Sequence, residues 1–345
     1  MQVEPALAPP RALGEPLGEG RLRLEPEDFL VEEMLGFEPA GAGEHVLLKV
    51  RKRAANTLWV ARELARLAGC RPVDVGYAGL KDRHAVAVQW FTVPRRGRAV
   101  AQWPGAGGEG FEVLEAHAHA RKLPRGALAG NRFRIRVRGL EPPTEALDAR
   151  LRAIRARGVP NYFGPQRFGR HGSNLRDLPE DPGALRGGER GFVLSAARSL
   201  VFNAVLAERV RQGCWEALQP GDRAILDGRG SHFAVEALDE TLRQRAARLE
   251  IHPTGPLWGR GTPGAAGAVL ELETRVAGGY SRACALIEAA AMDPQRRSLR
   301  LAVRELRAHL EPGAVVLEFD LARGAFATAV LREVCAFEDQ EEIST

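Results

Sequence analysis

"GYAGLKDRHAVAVQWFTV" occupies residues 76–93 and sets one carboxylate, Asp82, between Lys81 and Arg83, with strand-like apolar runs on both sides. A plain turn has no use for that arrangement; a carboxylate that must stay ionised in a cleft does. Ionised and aimed, it can act as a nucleophile towards an electrophilic carbon. Burial opposes the charge and neighbouring cations restore it. Successive residues of a strand point to opposite faces. One of Lys81 and Arg83 therefore faces away from Asp82, and a cation from elsewhere in the fold is expected. On residue types alone, a mixed-charge surface turn is the commoner explanation of so short a motif.

Outward from this stretch the chain alternates short strands with helices. Arg21 to Met34 reads as a strand broken by Pro26, and Glu44–Arg53 as a strand. Asn56 or Thr57 caps a helix that Gly69 ends. Phe111–Ala120 and Asn131–Leu140 read as strands; the second puts Phe133, Ile135 and Val137 on one face and Arg132, Arg134, Arg136 and Arg138 on the other. Thr144–Gly158 reads as a helix opened by Thr144, and Leu194–Gly213 as a long amphipathic helix. Short strands near residues 224–226 and 233–236 and helices over 239–250 and 281–292 follow, before strand patterning returns from Arg297. Residues 1–20, rich in Pro and Gly, read as poorly ordered. The mixed order of elements predicts an α+β fold with mostly antiparallel sheet, and the lack of a βαβ rhythm argues against a doubly wound or barrel enzyme.

Composition narrows the partner. Of 345 residues, 45% are apolar and 27% charged, a globular profile, and the net charge of +5 favours an anionic partner such as nucleic acid. Lysine occurs only at Lys49, Lys52, Lys81 and Lys122, which suits phosphate recognition by arginine but also fits a compositional bias. Cys70, Cys214, Cys284 and Cys335 form no CxxC pair, so a thiolate zinc site is not expected. No apolar run reaches 18 residues and no signal-peptide core is present, so a cytoplasmic protein without a membrane anchor is expected.

Other segments carry weaker signals. "GAGGEG" (105–110) lacks the Lys-Ser/Thr of a phosphate loop and reads as a hairpin. His117 and His119 share a strand face but have no evident third ligand, so they read as polar surface residues. The arginine row of 132–138 suits either phosphate oxygens or a solvated sheet face. "NYFGPQRFGRHGSN" (161–174) mixes Tyr162, Phe163 and Phe168 with Arg167, Arg170, His171 and Asn174, which suits RNA stacking and clamping as well as it suits an interdomain plug. Phe326 sits at a strand-to-helix junction, as a stacking platform or a core ring.

Taken together, "EPEDFLVEE", "GYAGLKDRHAVAVQWF", "KLPRGALAGNRFRI", "GVPNYFGPQRFG", "LSAARSLVFN" and "GAFATAVLREV", in that order over nearly the whole chain, resemble the TruD family of tRNA pseudouridine synthases. The resemblance implies an α+β pseudouridine-synthase fold with a mixed, mostly antiparallel sheet. Residues 1–156 and 298–345 would form the catalytic domain and 157–297 an inserted TRUD domain. It implies breakage of a uridine N1–C1′ bond, rotation of the base and rejoining through C5, with no cofactor and no metal. Asp82 falls on the catalytic aspartate. Phe29, Asn131 and Phe326 fall on substrate-pocket positions, and Phe133 shares the face of Asn131. Lys81 lies in the same motif as a supporting charge, and Arg23 is the candidate for the distant cation that pairs with Asp82. The implied partner is tRNA, with tRNA(Glu) at uridine 13 of the D-arm as the usual bacterial substrate; no obligate protein partner is implied, and a monomer is expected. The alternative is a non-catalytic RNA-binding or RNA-chaperone protein using the same cleft.

Overall fold

In the computed structural model the described residues are 8–96, 98–169 and 172–339. They pack as two units. Among the described residues a sheet unit comprises Gly18–Pro142, Arg304–Gly324 and Ala336–Asp339; a helical unit comprises residues 8–17, Pro143–Val303 and Ala325–Cys335. This division differs from the expected 1–156, 157–297 and 298–345. The helix Thr144–Arg157 packs with the helical unit, and so does the short segment that carries Phe326.

The sheet unit contains β1 (Glu19–Leu22), β2 (Phe29–Leu35), β3 (His45–Arg53), β4 (Gly76–Tyr77), β5 (Val86–Pro94), β6 (Gly107–Gly108), β7 (Phe111–His119) and β8 (Leu128–Arg138). Strands Arg304–Glu311, Ala314–Ala322 and Ala336–Asp339 join them. The order runs Arg304–Glu311, Ala314–Ala322, β8, β2, β5, β3, β7, β6, with β4 beside β5. Pairing is antiparallel except for β2 with β5 and for β1 with Ala336–Asp339. The register aligns Phe29 with Ile135, Val31 with Phe133 and Glu33 with Asn131; on the other side of β8, Phe319 faces Phe133 and Leu321 faces Asn131. Period-two alternation thus gathers these side chains on one face.

The helix Thr57–Ala68 covers part of that face. Asn56 caps it by accepting from the Leu58 N–H, and Gly69 at φ 62° ends it in the left-handed region that glycine enters without strain. Its Val60, Ala61, Leu64, Ala65 and Ala68 form a helical stripe against Val46, Leu48, Val50, Phe91 and Val113. The opposite face carries the arginine row, and of its two readings the geometry suits the solvated sheet face, with each guanidinium taken up by a carboxylate. Arg132 pairs with Asp320, Arg134 with Glu318, Arg136 with Glu311 and Arg138 with Asp28. This face bounds a concavity of about 950 Å³ floored by Leu30, Val86 and Val88. The His pair also differs from expectation: His119 is buried and stacks on Phe37, its Nδ1 accepting from the Ala40 N–H.

In the helical unit, Gly187–Arg211 is longer than expected and buried around most of its circumference, with Leu200, Phe202 and Leu206 fully enclosed. By length and composition it could cross a membrane, but 78% of that window is buried inside the protein, as befits a core helix. It packs on Ser281–Ala289, on Gly267–Gly278 and on the strand Ile251–Leu257. The sequence reading missed the last two. Thr144 does not cap its helix; Pro143 occupies that position. The segment from residue 8 is not loose either, because Glu333 accepts from the Ala12 and Leu13 N–H groups and the Leu17 N–H donates to Val334.

The β8 register depends on a bare backbone at Gly130, where a Cβ would lie 2.2 Å from the Leu321 carbonyl and 3.0 Å from Met34 Cε. That carbonyl belongs to the neighbouring strand and cannot retreat. Gly130→Ala is expected to lower the unfolding free energy by about 1–3 kcal/mol, read as an earlier urea midpoint. A variant with the wild-type midpoint would show that the strands are not this close.

Candidate active site

The loop between β4 and β5 carries Asp82, and several side chains fix its course. The Lys81 N–H donates to Thr57 Oγ1 (3.0 Å), the Thr57 hydroxyl donates to Gln89 Oε1 (3.1 Å), and the Gln89 amide donates to the Gly79 carbonyl (2.6 Å). Asp82 Oδ1 accepts from the His84 N–H at 2.8 Å, an Asx-type turn that orients the carboxylate. From beneath, the Lys52 ammonium donates to the carbonyls of Asp82 (2.6 Å) and Ala55 (2.8 Å).

Arg23 is the cation that reaches Asp82. Its Nε lies 3.1 Å from Asp82 Oδ2, and its Nη1 pairs with Asp339. Its guanidinium carbon stands 4.0 Å from the centroid of the Phe29 ring, a cation–π contact. Arg23 follows the end of β1 at φ 56°, in the left-handed region that a β-carbon disfavours by roughly 1–2 kcal/mol. Such strain persists where surrounding contacts over-determine it, commonly at functional sites. Of the three charged side chains Asp82 is the most accessible, at 18% exposure against 5% for Arg23 and 3% for Asp339. A reactant can therefore reach the carboxylate while its counter-ion stays enclosed.

The rings lie side by side. Phe29 meets Phe133 edge-on at 6.1 Å, and Phe133 stacks on Phe319 at 5.4 Å. Phe133 thus has neighbouring rings on two sides and supports Phe29. Next along β8, Asn131 keeps a buried Oδ1 with no hydrogen-bond donor among the described residues. An unsatisfied buried acceptor invites a donor from a ligand.

Lys81 does not serve Asp82 directly. Its ammonium bonds Glu33, which is 2% exposed and also accepts from the Trp90 N–H (2.8 Å). The pairing of β2 with β5 stops at Glu32, and Glu33 fills the gap beyond it. Burial pushes the Glu33 carboxyl up, and the Lys81 charge pulls it partly back. Phe326 belongs to the helical unit, where its ring lies 6.2 Å from Phe163. Arg170 and His171 lie outside the described residues.

The sequence reading missed Lys52, Glu33 and Asp339. The first two carried a signal. Lys52 continues the buried row Val46, Leu48, Val50, and Glu33 continues Phe29, Val31. A charge at the end of an alternating apolar row is a buried charge. Asp339 carried none, being 316 residues from Arg23. The structure thus brings Arg23, Phe29, Lys81, Asp82, Asn131 and Phe133 to one face of the sheet unit. The arrangement offers a held carboxylate, aromatic surface and an open amide acceptor, which is equipment for covalent chemistry on a planar, NH-bearing ring.

A family profile described as tRNA pseudouridine synthase D (TruD) matches residues 12–176 and 189–334. The tRNA pseudouridine synthase D of Methylococcus capsulatus is 49% identical over 336 residues, covering 96% of this chain and 95% of that protein. The tRNA pseudouridine synthase D of Nitrosococcus oceani is 46% identical over 329 residues, covering 92% and 91%. A crystal structure from Methanosarcina mazei, assigned to tRNA pseudouridine synthase D, superposes with a TM-score of 0.69 at 21% identity. It covers 96% of this chain and 95% of its own, which establishes the α+β fold with its large mixed sheet.

Burial lowers the Lys52 amine from its ordinary 10.5 to about 8, against the opposing pull of Asp82. Between those values the unfolded chain holds a proton that the folded chain has released, so unfolding free energy rises with pH. Below pH 8 the enclosed charge weighs against folding. Relative to Lys52→Met, the wild type is therefore expected to gain on the order of 2 kcal/mol between pH 8 and 10, measured by urea unfolding. Parallel pH dependences for the two proteins would show that this amine does not titrate there.

Proposed function

The chain belongs to the TruD family of tRNA pseudouridine synthases, and from that premise we propose that this isomerase converts uridine 13 in the D-arm of tRNA(Glu) to pseudouridine, with Asp82 as nucleophile. The observation that carries the residue assignment is the Asp82 carboxylate, ion-paired to Arg23 above Phe29 and accessible on one side.

The target uridine first leaves its stack, at a cost of a few kcal/mol. Asn131 Oδ1 then accepts from the uracil N3–H, satisfying an acceptor that has no partner among the described residues. The carboxylate of Asp82 supplies an electron pair to the nucleoside as the N1–C1′ bond breaks. The detached uracil turns in place, C5 bonds to C1′, and Asp82 recovers its electron pair. The C5 proton is lost and N1 gains one, so the product is an isomer of the substrate. Arg23 has two tasks. It balances the carboxylate before and after attack, and it fixes the direction of the attacking oxygen. Phe29, braced by Phe133, walls the site with apolar surface that keeps water from the opened nucleoside. A carboxylate glycosidase would need a second acid poised as proton donor. The acids that share this face, Asp339 and Glu33, are instead engaged by Arg23 and Lys81. A cytoplasmic location is part of this proposal, since its substrate is tRNA.

Asp82→Asn keeps the shape of the loop and removes the nucleophile. It is expected to make no pseudouridine in a tRNA(Glu) transcript while binding that transcript within a few fold of wild type. Pseudouridine formation by the variant would refute the assignment of Asp82. Loss of both activity and binding would point to a role in holding RNA. Mapping pseudouridine in total tRNA from cells with and without the protein reads the position: loss confined to uridine 13 is expected, and loss elsewhere would overturn the substrate.

A further inference from the structure

The loop that follows the helix Thr144–Arg157 carries a cluster of aromatic and guanidinium groups that the chemistry at Asp82 does not use. Its centre is Phe163. Asn203, fully buried on the long core helix, accepts from the Phe163 N–H (2.9 Å) and donates to the Phe163 carbonyl (3.0 Å). This reciprocal amide clamp fixes the backbone, and the ring stands edge-on to Phe202 at 5.4 Å. Two guanidinium groups lie over that one ring, Arg297 at 4.2 Å and Arg167 at 5.3 Å from its centroid. Arg297 donates to Asn161 Oδ1 (2.7 Å) and Arg167 to the Ser195 hydroxyl (2.9 Å). Arg167 also stands 6.0 Å from the Phe326 ring.

Phe326 is the N-cap of the helix Ala327–Val334. That helix has no side-chain cap and no acidic residue in its first turn. The loop lies against its start, since a Cβ on Gly164 would come within 3.2 Å of Thr328 Oγ1. The positive end of a helix and two guanidinium groups therefore converge around the edges of Phe163 and Phe326.

The charge that Arg167 brings to this cluster calls for an anion. Arg167 makes no ion pair with a carboxylate among the described residues, and its polar partner is a neutral hydroxyl. Burial lowers the Arg167 guanidinium, and it lowers Arg297 to about 10 with the charge of Arg167 adding to the effect. In the same unit Arg157 is neutralised by Glu216 and Arg296 by Glu273. The tetrahedral anion that a planar guanidinium fork and helix N–H groups hold together is phosphate, and flanking aromatic rings suit the bases on either side of it.

We propose that Arg167, with Arg297 and the first turn of Ala327–Val334, binds a phosphodiester group of the RNA substrate beside the Phe326 ring. The proposal rests on the reading of the protein as a tRNA-modifying enzyme and adds a phosphate contact to it. The site is independent of Asp82: it acts in binding and contributes no group to bond breaking.

The test is a salt titration of binding to an unmodified tRNA(Glu) transcript, from about 50 to 200 mM monovalent salt, for wild type, Arg167→Gln and Arg167→Lys. Each neutralised phosphate contributes a slope of about 0.7–0.9 in log K against log salt. Arg167→Gln is expected to bind about tenfold more weakly, with a slope shallower by about one; Arg167→Lys keeps the charge and most of the slope. Wild-type affinity and slope in Arg167→Gln would overturn the proposal. So would equal losses in both variants with no change of slope, the mark of a damaged loop. Pseudouridine formation by the wild type in the same transcript is scored separately. Its absence would count against the enzymatic reading and leave the slope comparison to judge the phosphate site, whereas its presence beside an unchanged slope would remove the phosphate site alone.

Discussion

The guanidinium of Arg23 holds Asp82 with one edge, Asp339 with another, and Phe29 beneath its face. It joins a loop, a C-terminal strand and an aromatic ring at one point of the sheet unit. Removing one partner of an enclosed ion pair leaves the other charge uncompensated, which costs far more than the loss of a surface pair. The left-handed backbone at Arg23 is the geometric counterpart of that constraint. The chain accepts local strain to bring the side chain over the ring. Lys52 adds a second cation from below, bonded to the main chain at Asp82 while the carboxylate is left to Arg23. One cation sets where the loop runs and the other sets where its carboxylate points.

The two faces of the large sheet use charge in opposite ways. On the exposed face, arginines and carboxylates of neighbouring strands neutralise one another in ordinary cross-strand pairs. On the enclosed face charges are few, and each is bound by several partners: Glu33 by Lys81 and Trp90, Lys52 by two carbonyls, Arg23 by two acids. The strong basic appearance of "NRFRIRVRG" therefore said little about RNA, because its partners came from strands distant in sequence.

Much of this was legible before the fold was known. Alternation located the long strands, and Asn56 and Gly69 marked a helix by their capping chemistry. The sheet order was not legible, since β2 pairs with β5 and β8 and its neighbours in sequence do not adjoin it. The strand Ile251–Leu257 was hidden by Pro253, Gly255 and Pro256, residues that oppose a central strand, although it pairs on both sides. Its burial beside the core helix overrides that local preference. At the site, Asp82, Phe29 and Asn131 came from motif resemblance, whereas Lys52 and Glu33 were readable as charges that ended apolar rows. Asp339 was not readable, because no local pattern reports a partner so far along the chain.

The parallel pairing of β1 with Ala336–Asp339 bears on how the protein comes into being. During synthesis Arg23 emerges 316 residues ahead of its second acid and must wait for it. A nascent chain that has already made Asp82 still lacks the strand that supplies Asp339. Contacts of such long range form late and slowly, so the carboxylate gains its settled surroundings only once the strand Ala336–Asp339 has been made. Half-made copies thus carry Asp82 without the frame that aims it.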